Sequence, residues 1–225
     1  MSTVYMTEEE QIEALKGWWK RYQRIITIAL SVVLLAVSGW KYWHWHQQKM
    51  TEQASTAYEH LMTAFSNQDT KSVRSYAQQL TSHYPGTVYA DTAYLMQAKL
   101  DIAAGQDAQA RQSLSQVAAH SKFAILADVA SLRLARVLAY EKAYEEALKI
   151  LDNIRSPNFD VSRSELRGDI YHAMGKYQQA LDAYQKAKEN AQQSGMGHPF
   201  LEMKQQDLLA VIQSSTGVRN AHALS

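Results

Sequence analysis

Apolar and polar positions fall into three regimes along the chain. From Ile25 to Trp40 the sequence IITIALSVVLLAVSGW carries no charge. Extended to Trp43, at about 1.5 Å per residue, it makes a helix of about 28 Å, close to the roughly 30 Å hydrocarbon core of a bilayer. From about Ala54 to Asn190 small and bulky apolar residues recur at helical spacing in blocks that read helix, short turn, helix. The stretch QQSGMGHP, Gln192–Pro199, breaks that pattern, and Phe200–Gln213 then supplies Leu201, Leu208, Leu209 and Ile212 for one more helix. No stretch alternates apolar and polar residues over enough length to argue for a strand. The pattern predicts an all-α protein: one N-terminal transmembrane helix, an α-solenoid of about four helix pairs, and a C-terminal capping helix that closes the apolar end of the stack. The expected segments are a tail over 1–24, an anchor over 25–45, a repeat domain with its cap over 46–213, and a short polar, disordered end over 214–225.

The blocks repeat. The last runs Gly168-x-x-Tyr171-x-x-x-Gly175-x-Tyr177-x-x-Ala180-x-x-x-Tyr184-x-x-Ala187. Stepping back 33 residues finds Ala135, Leu138, Tyr144, Ala147, Leu151 and Ile154 at matching places. A further 37 back lie Ala98, Gly105, Ala110, Leu114 and Val117, and 37 before those Leu61, Ala64, Val73, Ala77 and Leu80, followed by Pro85. Small residues stand where two helices approach closely, and bulky ones fill the space beside them. This spacing resembles the tetratricopeptide repeat. The last unit fits best, with Gly168 at its eighth position, and departs at the seventh, where Arg167 replaces the usual Leu. The segment His83-Tyr84-Pro85-Gly86-Thr87 resembles the turn that joins such units.

All five tryptophans bracket the apolar run: Trp18 and Trp19 before it, with Tyr22, and Trp40, Trp43 and Trp45 after it, with Tyr42. Trp and Tyr favour the headgroup zone, where the ring is sheltered and its polar edge stays wet. Lys16, Lys20, Arg21 and Arg24 precede the run, whereas Lys41 and Lys49 follow it. Basic residues are retained in the cytoplasm, which predicts an inside N-terminus and an outside repeat domain. The rival reading is a cleaved signal peptide, because Ala36-Val37-Ser38 resembles a cleavage pattern. Against it, the leader would hold Glu8, Glu9, Glu10 and Glu13 and would discard the first aromatic belt. Thr7-x-x-Glu10 reads as a capping box, and Ile12, Leu15 and Trp19 then share a face of a short amphipathic helix.

Composition narrows the chemistry. A formal net charge of +1 leaves no nucleic-acid footprint, and the absence of cysteine excludes disulfides, thiol catalysis and Cys-based metal sites. No phosphate loop, His-Glu-x-x-His pair or nucleophile elbow is present, so no catalytic residue, cofactor, metal or small-molecule substrate is expected. His44 and His46 are two apart and point to different sides of a helix. Glu145 and Glu146 read as a solvated face.

Repeats of this class present partners with the first helix of each pair, on the concave face. Carrying over the positions that do so gives Tyr58, Met62, Phe65, Leu95, Lys99, Leu132, Arg136, Tyr140, Glu165, Asp169 and His172. The row passes from apolar near the membrane to charged at the far end. Leu95 and Leu132 read equally well as core. Within the span, Thr27, Ser31 and Ser38 fall on one stripe with Leu34 beside them, a surface on which another membrane helix would pack closely. Hydroxyls that bond back into their own helix are the other reading of that stripe.

Four blocks in order, QIEALKGWWK, GWKYWHWHQ, LRLARVLAYEKAYEEALKILDNI and ELRGDIYHAMGKYQQALDAYQKA, together resemble the YfgM family over nearly the whole chain. That resemblance implies a single-span protein of the inner membrane of Gram-negative bacteria, with its repeats in the periplasm. It implies an ancillary subunit of the SecYEG translocon that associates with PpiD, a membrane-anchored periplasmic chaperone. The implied role is a non-enzymatic adaptor that helps hand translocated proteins to periplasmic chaperones. A scaffold for another envelope assembly, or a tether for a cytoplasmic stress regulator, are the alternatives, because fold does not fix function.

Overall fold

A computed structural model of the chain describes residues 8–195 and 199–223, with side chains at 8–11, 13–15, 17, 26, 199 and 214–223 outside that description. The expected capping box at Thr7, the contribution of Leu15 to an amphipathic face, and residues 196–198 of the break therefore lie outside the described residues. Among the described residues the elements are helical throughout. They are α1 (Glu8–Ser66), α2 (Thr70–His83), α3 (Val88–Ala103), α4 (Asp107–His120), α5 (Ala124–Tyr140), α6 (Tyr144–Asn153), α7 (Asp160–Ala173), α8 (Tyr177–Gln193) and α9 (Pro199–Ala223), with a 3-10 turn at Pro157–Phe159 before α7.

The chain divides into two units, with the boundary between Gln53 and Ala54. In the first unit, helix α1 carries the apolar run, and none of its most apolar stretch is buried. Leu30, Val32, Leu34 and Leu35 are all more than half exposed. A soluble helix would bury such a surface against a core. This helix is long and apolar enough to cross a membrane.

The second unit is a stack of four helix pairs: the end of α1 with α2, α3 with α4, α5 with α6, and α7 with α8. Helix α9 packs on α8 through Leu201 and Leu208, both buried beside Ala180, Tyr184, Ala187 and Ala191. It covers the last repeat as expected. It also runs past the anticipated end at Gln213 and takes in most of the segment expected to be disordered. No proline follows Pro199 to stop it.

The pairs share one turn. The residues at 68, 105, 142 and 175 are structurally equivalent, and all have positive φ: Gln68 57°, Gly105 69°, Lys142 65° and Gly175 73°. The amide after each turns back to a carbonyl five residues earlier: Asp69 to Ala64, Gln106 to Asp101, Ala143 to Leu138 and Lys176 to Tyr171, at 3.0, 2.8, 2.8 and 2.9 Å. This is a Schellman-type closure that satisfies the last carbonyls of the first helix. The HYPGT segment joins pairs differently. Gly86 has φ 74°, and the Thr87 hydroxyl both donates to the Tyr84 carbonyl at 2.8 Å and accepts from the Ala90 amide at 3.2 Å, capping α3. At α2, Asp69 accepts from the Ser72 amide, and these bonds hold its carboxyl below the usual carboxylate range.

Polar groups inside the stack are matched. Buried Asp101 takes a 2.6 Å ion pair from Arg74, and buried Asp91 accepts from the Ser121 hydroxyl at 2.6 Å. Arg167, the departure from the usual repeat pattern, pairs with Asp152 across the α6–α7 junction. A leucine there would have no use for that carboxylate.

Candidate functional site

The first helices of successive pairs lie beside one another, so their outward faces form a continuous surface within the second unit. Apart from Leu95 and Leu132, the expected partner-facing residues lie along these first helices in three local groups.

The first group is aromatic. Tyr58 meets the Tyr89 ring at 5.3 Å between centroids, Met62 is 37% exposed, and the Lys99 ammonium sits 5.1 Å from the centre of the Phe65 ring. A cation over an aromatic face is attracted by the ring quadrupole.

The second group lines a trough between α3 and α5. A cavity of about 510 Å³ is lined by Ile102, Gly105, Asp107, Arg133, Arg136, Val137 and Tyr140. A smaller one of about 190 Å³ is lined by Leu95, Ala98, Lys99, Ile102, Leu114 and Arg133. The two share Ile102 and Arg133 and so adjoin. Lys99, Arg136 and Tyr140 are exposed as expected, Tyr140 at 81%. Leu95 and Leu132 are corrections. Each is only 6% exposed and belongs to the core around Leu114, Leu138 and Leu151. Their apolar character is used to hold α3 and α5 in the stack, and Leu95 reaches the smaller cavity only as part of its wall.

The third group is already occupied. The Lys204 ammonium of α9 donates to Glu165 at 2.8 Å and to both oxygens of Asp169 at 2.7 and 2.9 Å. The Tyr184 hydroxyl donates to Asp169 at 2.8 Å, and Lys204 lies 5.7 Å from the Tyr184 ring centre. Burial lowers the Lys204 pKa, but its bonds to Asp169 and Glu165, with their charges, outweigh that and raise it overall. Burial, then the bond to Asp169, raises the Tyr184 phenol well above its ordinary range. Glu165 and Asp169 thus serve the cap rather than an open acidic surface. His172 is exposed beside Tyr177, at 5.9 Å between rings.

Ile102 occupies the same repeat position as Phe65 and His172, and that register was the signal for it. Arg133 lies outside the partner-facing positions of the repeat, and Lys204 lies in the cap, where the repeat gives no register. A second, polar cleft of about 360 Å³ includes Gln97, Gln109, Gln112 and Gln116 with the paired Arg74 and Asp101. Among the described residues no cluster of His, Asp and Glu has the arrangement of a metal site.

In the span, Thr27 donates to the carbonyls of Gln23 and Arg24 at 2.8 and 3.0 Å, and Ser31 donates to Thr27 at 2.8 Å. These two hydroxyl protons are committed to their own helix. Leu34 stays 59% exposed on that unit, and Ser38 is exposed as well.

The tetratricopeptide repeat-like domain family matches residues 16–210. The chain is 32% identical to a protein of Aggregatibacter actinomycetemcomitans named ancillary SecYEG translocon subunit, over 84% of this chain and 92% of that one. Proteins with the same name from Haemophilus influenzae and Escherichia coli are each 29% identical, over 84% and 81% of this chain and 93% and 87% of theirs. The match spans the apolar helix and the repeats together, and on it the chain belongs to the YfgM family, whose members carry a tetratricopeptide repeat-like domain.

Proposed function

We propose that the chain is a non-enzymatic accessory of the SecYEG translocon. In this reading it is anchored in the inner membrane by one span and presents its repeat domain to the periplasm. The observation that carries the reading is the joint similarity of the apolar helix and the repeats to proteins named as translocon subunits. The basic bias, with Lys16, Lys20, Arg21 and Arg24 before the span, supports a cytoplasmic N-terminus. The first-helix face is the partner surface, holding a PpiD-like membrane-anchored chaperone and passing translocated proteins toward it. Tyr58, Met62, Phe65, Lys99, Arg136 and Tyr140 are its open members.

Two measurements test this. A periplasm-active reporter fused after Ser225 is expected to work, and one fused near Gln11 is expected to fail; the reverse pattern contradicts the orientation. Mature protein whose sequence starts at Gly39 would establish a cleaved leader instead of an anchor. Purification from native membranes in mild detergent is expected to bring down translocon and chaperone together. Recovery of an unrelated envelope complex points to a scaffold, and recovery of a cytoplasmic regulator through the tail points to a tether.

A further inference from the structure

We propose that the α3–α5 trough captures a peptide segment in which acidic side chains flank an aromatic or aliphatic anchor. This deepens the partner-face reading above and rests on it.

Arg74, Arg111, Arg163 and Arg167 each find a carboxylate within the fold. Arg133 and Arg136 form no ion pair among the described residues, although both are exposed on the trough wall. Lys99 adds a third cation, its ammonium placed over Phe65 rather than on an acid. The acid in the lining, Asp107, stands in the first turn of α4, where it faces the positive end of its own helix. The other acids on this face, Glu165 and Asp169, are bound by Lys204. The field left open on the first-helix face is therefore positive and centred on α5.

The apolar part sits in the same place. Ile102 is 44% exposed and Tyr140 81%, and both line the larger cavity with Val137. A tyrosine ring exposed to that degree does nothing for the core, and it offers a broad, rigid platform for an apolar anchor. Guanidinium groups take carboxylates through two parallel hydrogen bonds, and Arg133 and Arg136, three residues apart, share one side of α5. A segment with acids on either side of a bulky side chain satisfies both features. A basic segment meets repulsion, and a purely apolar one leaves the cations unmatched.

The test uses the full chain in detergent micelles and the fluorescence anisotropy of three labelled peptides. One has Phe flanked by Asp and Glu, the second replaces each acid by Lys, and the third replaces Phe by Ser. The first is expected to bind about tenfold or more tighter than either control, a difference of about 1.4 kcal/mol. Its affinity is expected to fall with added salt. The double variant Arg133→Gln/Arg136→Gln is expected to lose most binding, Tyr140→Ala to weaken it several-fold, and Lys149→Glu on α6 to leave it unchanged. Circular dichroism follows the fold, and if the double variant loses helix, the three peptides on the unaltered chain and Tyr140→Ala decide the matter.

Equal binding of the acidic and basic peptides overturns the proposal, as does unchanged binding by a folded double variant. Self-association abolished by Arg136→Gln, with no competition from the acidic peptide, identifies a second copy as the occupant and also overturns it. If the unaltered chain co-purifies with the translocon but ignores the acidic peptide, this proposal alone fails. If it binds the peptide but never co-purifies with the translocon, the functional reading fails.

Discussion

Gly168 on α7 lies so close to the Tyr184 ring on α8 that a Cβ at 168 would come within 2.4 Å of its Cε1 and 2.5 Å of its Cδ1. The equivalent pairs in the other repeats are Ala135 with Leu151, Ala98 with Leu114, and Leu61 with Ala77. All of those side chains are buried at 1% exposure or less, and Tyr184 at 2%. Across the stack one partner shrinks as the other grows, which is how close packing keeps its total volume.

Gly168→Ala is therefore expected to lower stability by about 1–3 kcal/mol, the usual cost of overpacking. Tyr184→Leu alone also destabilises, through an unfilled space and the lost bond to Asp169. The double variant restores the Ala–Leu pair of the middle repeats, so the two losses are expected not to add; a coupling of about 0.5–3 kcal/mol measured by urea unfolding checks this. Additive losses would mean the pair does not share one space.

Lys204 and Tyr184 make stability sensitive to alkali. Both pKa values are raised above the ordinary 10.5 and 10.0. A group with a higher pKa when folded binds more protons in the folded state, so stability falls as pH rises between the two values. The contribution is complete below the unfolded pKa, near pH 10 for both groups, and is lost as pH climbs through the folded value. Thermal unfolding midpoints of the full chain are expected to hold level from about pH 7 to about pH 9 with respect to this cluster and to drop above about pH 10. Lys204→Met is expected to remove only the lysine's share of that drop, because burial and Asp169 still raise Tyr184, while lowering the midpoint at neutral pH.

Lys142 and Gln68 hold turn positions that Gly105 and Gly175 fill in the other pairs. A non-glycine residue in the left-handed region costs about 1–2 kcal/mol, partly offset because glycine gains more freedom when unfolded. Lys142→Gly is expected to leave stability equal or raise it by up to about 1 kcal/mol, and Lys142→Val to lower it clearly. Denaturant midpoints of the two variants give the comparison, and a stabilising valine would contradict the shared turn.

The span is proposed to contact another membrane helix through Thr27, Ser31, Leu34 and Ser38. The hydroxyl protons of Thr27 and Ser31 bond inward, so that contact rests on small size and on free lone pairs. A photo-crosslinker at Ser31 is expected to trap a specific membrane protein, and one at Val33 to meet lipid. Equal yields at both sites would reduce the span to a tether.

The repeat was legible because small residues recur at Ala98, Ala135 and Gly168, where two helices cross and a larger partner faces them from the second helix. The turns were legible at Gly105 and Gly175 but not at Gln68 and Lys142, whose side chains disguise the same backbone. Leu95 and Leu132 were ambiguous because position on a repeat does not say whether a leucine meets solvent or the next helix, and packing put both inside. The fate of Glu165 and Asp169 was hidden for another reason. Their partner, Lys204, arrives from a helix outside the repeat, so no periodicity ties the three together. The Arg167 departure became intelligible only once Asp152 was placed beside it.

In the proposed function, the first-helix face of a membrane-anchored repeat domain meets its partner at the α3–α5 trough while the chain sits at the translocon. In-cell photo-crosslinking from position 140, in place of Tyr140, examines this contact in place, with position 149, in place of Lys149, on α6 as the control. Adducts are expected at 140 with a membrane-anchored periplasmic chaperone or a translocon-associated protein, and none of these at 149. Identical adducts at both positions, or adducts at 140 only with cytoplasmic proteins, would contradict it.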